Sequence, residues 1–173
     1  MLELAAAASG GAAYITDNSS LSVSSSTIQG NSAQLGAGFV CQNGSTLIVR
    51  ESLLLRNSAT EGACIWSWRI CKVVLDGVSL RDNKADRGGA VIVGGSTSVA
   101  VHNCSFVSNM ASINAGAMSL LGFSNATIRG TRFSNNTARF AGALAAHGNS
   151  TLEHNSATDR MELSWLVTTR RYQ

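Results

Sequence analysis

The chain has 173 residues, of which 13% are charged, with seventeen Gly and no Pro. Collagen-like and Pro-rich segments need proline, disordered tails need charge, and coiled coils need a Glu/Lys/Leu majority, so none of these classes fits. The 45% hydrophobic fraction is mostly Ala, Val and Leu with 6% aromatic residues, which predicts one domain with a core of small side chains. Much of the remainder is Ser, Thr and Asn, which compete for the backbone in helix interiors, so an all-β, turn-rich chain is expected.

Net charge is +3, with Arg160, Arg170 and Arg171 supplying three of the thirteen cations. The rest of the chain is nearly balanced and offers no basic surface for nucleic acid. No uninterrupted apolar run is long enough for a transmembrane segment. The opening residues, Met1 to Gly10, carry Glu3 and no basic stretch, so they do not read as a complete signal peptide, and the expectation is either that export draws on upstream sequence or that the chain is a fragment.

A repeat organises the chain. Six Asn residues open the same phrase, Asn31, Asn57, Asn83, Asn109, Asn136 and Asn155, and the first five are spaced 26, 26, 26 and 27 apart. An apolar residue stands three positions before each: Ile28, Leu54, Leu80, Phe106, Phe133 and Leu152. Ala stands two positions after, and a small-residue cluster such as Gly88-Gly89-Ala90 follows. Apolar residues alternate ahead of each Asn, as in Leu47/Val49 and Val73/Leu75, and again after the Gly cluster, as in Phe39/Cys41 and Val91/Val93. Each copy therefore predicts three short β segments with turns at fixed offsets.

A unit of this size cannot close a core alone. The expected fold is all-β, a right-handed parallel β-helix of about five to six coils of ~26 residues, each strand pairing with its equivalent one coil away. A left-handed β-helix would repeat in hexapeptides, and a leucine-rich repeat would want Leu where this chain has Ser26, Ser52, Val78, Cys104 and Thr131. Residues 1–159 are read as one solenoid with a partial first coil and a shortened last coil, and 160–173 as an off-pattern tail or cap. The Asn column is expected to form a ladder of side-chain amides at a turn, and Pro is excluded because almost every N–H is committed to neighbouring coils. Stacking also places Arg50 against Asp76, Arg56 against Asp82 and Glu61 against Arg87.

The elements Phe106-Val-Ser-Asn109, Phe133-Ser-Asn-Asn136 and Gly88-Gly-Ala-Val91 resemble the paired repeat motifs of the chlamydial polymorphic outer-membrane protein family. The resemblance covers about residues 10 to 159. It implies a surface-exposed β-helical passenger region of an autotransporter-like adhesin, on the cell surface or secreted, and outer-membrane-associated in a bacterium. Three of the copies before the last carry Ile or Leu in place of the motif's Phe.

Candidate chemistry is sparse. Pectin-cleaving enzymes share this fold, but their sites need convergent carboxylates. Here Asp17, Asp76, Asp82, Asp86, Glu51 and Glu61 fall in different columns, so no enzyme and no catalytic residue is expected. His102, His147 and His154 show no metal-type spacing, so neither a metal nor a cofactor is expected. Cys41, Cys64, Cys71 and Cys104 occupy four different column positions, which favours buried free thiols over a disulfide framework, with a local Cys64–Cys71 bridge as the alternative.

Strand parity places Trp66 and Trp68 on the outside, where they are the candidate ligand-binding residues, stacking on a glycan or anchoring a host or cell-surface protein. The competing reading is that a flanking segment, such as Trp165, covers them. Six sequons, at Asn18, Asn43, Asn103, Asn125, Asn135 and Asn149, would be N-glycosylation candidates in a eukaryotic secretory protein. The functional expectation is a non-enzymatic segment of a surface or secreted protein, a rigid scaffold with an adhesive face and part of a longer repeat array. The alternative is a polysaccharide-binding or polysaccharide-degrading, pectate-lyase-like β-helix.

Overall fold

The computed structural model describes residues 2–3, 6–155 and 166–167, with side chains described for 6–153. Four strands per coil wind into a parallel β-solenoid. In one coil they run Thr46–Arg50, Leu53–Leu55, Ser58–Glu61 and Ile65–Trp68, and their equivalents in other coils build four parallel sheets, called sheets 1 to 4 in that order. The described residues contribute six, six, five and seven strands to them respectively. Successive coils pair at the 26-residue spacing, as in Val73↔Leu47 and Leu80↔Leu54.

Sequence periodicity reveals three of these sheets and misses sheet 3. Its inward residues, Ala33, Ala59, Ala85 and Ala111, are methyl groups set between polar outward residues, so the strand lacks the strong apolar alternation that marks the others. The core lies between the walls. Sheet 1 contributes Leu47, Val49, Val73 and Leu75, sheet 2 contributes Ile28, Leu54, Leu80 and Phe106, and sheet 4 contributes Phe39, Ile65, Val91 and Met118, all fully buried. Phe106 and Phe133 stack with ring centroids 4.8 Å apart.

Three of the four corners are held by polar side chains, two of them through bonds that run along the solenoid axis. Where sheet 2 turns into sheet 3, the buried Asn column forms a continuous ladder. Asn57 Nδ2 donates to Asn83 Oδ1 at 3.3 Å and to the Ile28 carbonyl at 3.0 Å, while its backbone N–H donates to the same Asn83 Oδ1 at 2.9 Å. Asn83 and Asn109 repeat the pattern toward Asn109 and Asn136. Where sheet 1 turns into sheet 2, Ser52, Cys104 and Thr131 each donate to the carbonyl two residues earlier and accept a backbone N–H from the preceding coil. Where sheet 4 turns back into sheet 1, Cys71, Thr97, Ser124 and Ser150 each donate to the carbonyl three residues earlier.

The fourth corner uses absence of bulk instead. A Cβ added at Gly89 would collide with the Gly116 carbonyl oxygen and lie 2.8 Å from the Met110 backbone. One residue is also added to the wall here. Ala85 pairs with Ala111, yet Arg87 pairs with Asn114, so the Met110–Asn114 strand carries a bulge, and spacing returns to 26 by the Met118↔Leu144 pair.

The last Asn of the repeat does not belong to the ladder. The strand Thr151–Asn155 lies in sheet 1 and pairs Ala126 with Leu152 and Arg129 with Asn155. Asn155 therefore stacks seven residues away from the ladder position, and the coil keeps its 26-residue spacing to that point. Leu166–Val167 pairs with Ala145–Ala146 at the end of sheet 4. The rest of 160–173 lies outside the described residues.

Replacing Asn83 with Ala removes the acceptor for two Asn57 donors and leaves the Leu54 carbonyl without its partner. It is expected to cost about 2 to 4 kcal/mol in urea unfolding, whereas Asn125→Ala on the exposed face of sheet 1 should stay within about 0.5 kcal/mol. Gly89→Ala should cost more than about 2 kcal/mol because backbone must move. Gly122→Ala meets no atom within 4 Å and is expected to cost only the left-handed backbone term of about 1 kcal/mol.

Candidate functional site

Trp66 and Trp68 project from sheet 4 away from the main core, on the side that parity assigns, but the face is not open. Trp66 is only 9% exposed and sits between its registered neighbours Val40 and Ile92, both fully buried. These three form a second apolar cluster, closed by Leu35, Trp68 and Leu121. Alternation along the strand gives the side of the sheet but not what lies over it, so the expectation that Trp66 is exposed fails. Trp66 Nε1 donates to Glu61 Oε2 at 3.1 Å, and Glu61 Oε1 accepts from Arg87 Nη1 at 3.1 Å. The indole is thus buried with its polar edge satisfied, as a buried Trp requires.

Trp68 stacks on Trp66 with centroids 5.7 Å apart and planes 15° from parallel, and it stays half-buried. Its six-membered ring occupies the space where a Cβ of residue 94 would stand, so Gly94 in the next coil admits it. Tyr14, half exposed in the same outward column, donates its hydroxyl to Gln42 Oε1 at 3.0 Å.

The corner after sheet 4 carries a feature that sequence reasoning passed over. Two consecutive residues per coil adopt left-handed backbone there: Asp17-Asn18, Asn43-Gly44, Arg69-Ile70, Gly95-Ser96, Gly122-Phe123 and Gly148-Asn149. Asn, Asp and Gly tolerate this region, and a β-branched or bulky residue is an outlier. Ile70 has φ 61° and is 72% exposed, and Phe123 has φ 59° and is 64% exposed. The turns stack through Ile70 N–H to Gly95 O and Phe123 N–H to Gly148 O. Ile70 and Phe123 therefore stand on one edge two coils apart, about 9 to 10 Å along the axis, with Trp68 two residues ahead of Ile70. Reading the sequence down this column would have shown both against their Asn, Gly and Ser equivalents.

The sequons lie where turn chemistry wants Asn. Asn18, Asn43, Asn103, Asn135 and Asn149 all have positive φ, and Asn125 lies on an exposed strand position of sheet 1. All are exposed except the half-buried Asn43, whose Nδ2 donates to Thr16 Oγ1 at 3.2 Å.

Of the three charge pairs, Glu61–Arg87 closes as an ion pair, the only one among the described residues. Arg50 and Asp76 do stand in register, but the Asp76 carboxylate accepts from Asn103 Nδ2 at 3.4 Å. His102 pairs in register with Asp76 and Arg129. No group of three His, Cys, Asp or Glu side chains converges among the described residues, and no helix there is long and apolar enough to cross a membrane.

All four cysteines are free and buried. Cys104 takes a hydroxyl position of the corner ladder, and burial pushes its thiol up to about 11. Cys64, packed inside and facing Asn57, is also pushed well up by burial. Comparison of the chain with protein-family models, curated proteins and solved structures finds no match. The resemblance to the polymorphic outer-membrane family thus gains no support there, and the parallel solenoid of about six coils is what the chain displays.

Truncating Trp66 opens a cavity in the outer cluster and removes one of the two partners of Glu61, so Trp66→Ala is expected to cost about 3 kcal/mol or more. Trp68→Ala should cost clearly less, and denaturant unfolding of the two variants separates the structural indole from the accessible one.

Proposed function

We propose that this chain is a non-enzymatic scaffold of a surface or secreted protein, a rigid solenoid that presents an adhesive edge rather than a reaction centre. The observation that carries the reading is the pair Ile70 and Phe123. Two large apolar side chains hold strained left-handed turn positions, where the other coils use Asn, Gly or Ser, and both are exposed to solvent. Strain of about 1 to 3 kcal/mol persists where selection on something other than stability retains it. With the half-buried Trp68 beside Ile70, the edge offers an apolar strip that can stack on sugar rings or anchor a partner protein. Against a pectate-lyase-like activity stands the distribution of the acids: Asp76 engages Asn103, and Asp86 accepts from Ser112 Oγ at 2.7 Å.

The test separates stability from contact. Ile70→Gly and Phe123→Asn restore residues that neighbouring turns use and are expected to raise stability by about 0.5 to 2 kcal/mol. Together with Trp68→Ala they should abolish glycan-array or cell-adhesion signal given by the parent chain. Unchanged signals in all three folded variants would refute the adhesive edge.

A further inference from the structure

Ile70 and Phe123 are the two most exposed large apolar residues among those described. Each takes the second position of its left-handed turn, and the turns hydrogen-bond down the axis through Ile70 N–H to Gly95 O, Ser96 N–H to Gly122 O and Phe123 N–H to Gly148 O. The two residues therefore stand on one line parallel to the axis. The turn between them is Gly95-Ser96 and the turn beyond is Gly148-Asn149, so no bulky residue of that column walls them in.

The charge beside Ile70 has one sign. Arg69 is exposed in the same turn, and Lys72 is exposed at the start of the strand Lys72–Asp76 that follows. Acids are engaged or placed elsewhere. Asp17, in the turn of the first coil, accepts from Thr16 Oγ1 at 3.2 Å and from Asn43 Nδ2 at 3.4 Å. Glu61 is held by the Trp66 indole and by Arg87. Glu153 lies in the strand of sheet 1 one coil beyond Phe123.

This arrangement discriminates between partners. A sugar needs an open ring face with polar side chains around it. Trp68 has one face stacked on Trp66 and its six-membered ring against Gly94, and Ile70 offers no ring. A protein would need two pockets matched to side chains about 9 to 10 Å apart. A fluid bilayer receives both at any spacing, provided they stand at equal height, and turns stacked in register supply that. Cations beside the apolar residues then lie at the level of the lipid phosphates.

Resting on the adhesive-edge reading, we infer that the partner of this edge is an anionic phospholipid surface: Ile70 and Phe123 enter the interfacial layer, Arg69 and Lys72 meet the phosphates, and the solenoid axis lies parallel to the bilayer. Trp68, two residues before Ile70, comes to the headgroup level, where indoles are favoured. Two apolar side chains give a reversible hold, and further copies along the same axis strengthen it without new chemistry.

The test sediments the full chain with vesicles of phosphatidylcholine alone and of phosphatidylcholine mixed with phosphatidylserine. Binding is expected to the mixed vesicles, and to fall as salt is raised. Ile70→Gly and Phe123→Asn should each weaken it by about tenfold or more, and Arg69→Gly and Lys72→Ser by about fivefold each. All four introduce residues that other coils use at the same positions, so the variants should keep the parent circular dichroism spectrum. With bromine-labelled acyl chains in the mixed vesicles, tryptophan emission should be quenched in the parent and recover in Trp68→Phe. Absence of binding, binding indifferent to phosphatidylserine, equal binding of the Ile70 and Phe123 variants, or quenching that survives Trp68→Phe would each overturn the lipid partner. A parent that ignores vesicles yet gives a glycan-array or protein-adhesion signal that these variants lose keeps the adhesive edge and refutes only the lipid; a parent that gives neither refutes both.

Discussion

Along the buried edge between sheets 2 and 3, Asn57, Asn83 and Asn109 each donate a side-chain amide proton and the backbone N–H to the same oxygen on the next coil, and the remaining amide proton to a carbonyl behind. The other columns depend on that geometry. A turn at this place buries backbone donors and acceptors that a strand would otherwise satisfy, and leaving one unpaired costs on the order of 1 to 3 kcal/mol. Asn is the short side chain that supplies both an acceptor and two donors. With the corner fixed, the 26-residue spacing and the register of all four walls follow, and so does the exclusion of Pro.

The remaining corners solve the same problem with different chemistry. Hydroxyl and thiol groups serve at two of them, bonding carbonyls two or three residues earlier, and close backbone packing at Gly serves at the fourth. The Cys residues at 71 and 104 are therefore substitutes in hydroxyl columns rather than members of a disulfide framework, which is why the cysteines fall in unrelated sequence phases. One consequence is that polar side chains are used up inside the solenoid, and chemistry available to a partner is confined to outward positions that depart from the repeat.

Most of the fold was legible because columns of identical residues leave a period in the sequence. The Asn positions 31 to 136 and the apolar alternations of sheets 1, 2 and 4 needed only counting. Sheet 3 was hidden because methyl groups such as Ala59 and Ala85 line its inner face and give little contrast. Asn155 misled because Leu152, Asn155 and Ala157 reproduce a short phrase at another angular position, although the distance from Gly142 already disagreed. Trp66 showed the limit of parity, since Leu35 and Leu121 reach the outer face of sheet 4 from other positions. Ile70 and Phe123 were visible in the letters, but their meaning lies in backbone conformation, which becomes apparent only when the turn residues are compared down the axis.

The bulge in the Met110–Asn114 strand shows how this architecture handles error. An extra residue in a globular core shifts everything that follows it along the chain. Here the added length is absorbed within one wall of one coil, and the Asn ladder, the hydroxyl columns and the later strands resume their places. Position in the molecule is in effect a pair of coordinates, a coil number and an angle, and a change in one coil leaves the angles of the others intact. Such a chain can vary its outward residues coil by coil, and gain or lose length locally, while the address of every structural residue is preserved.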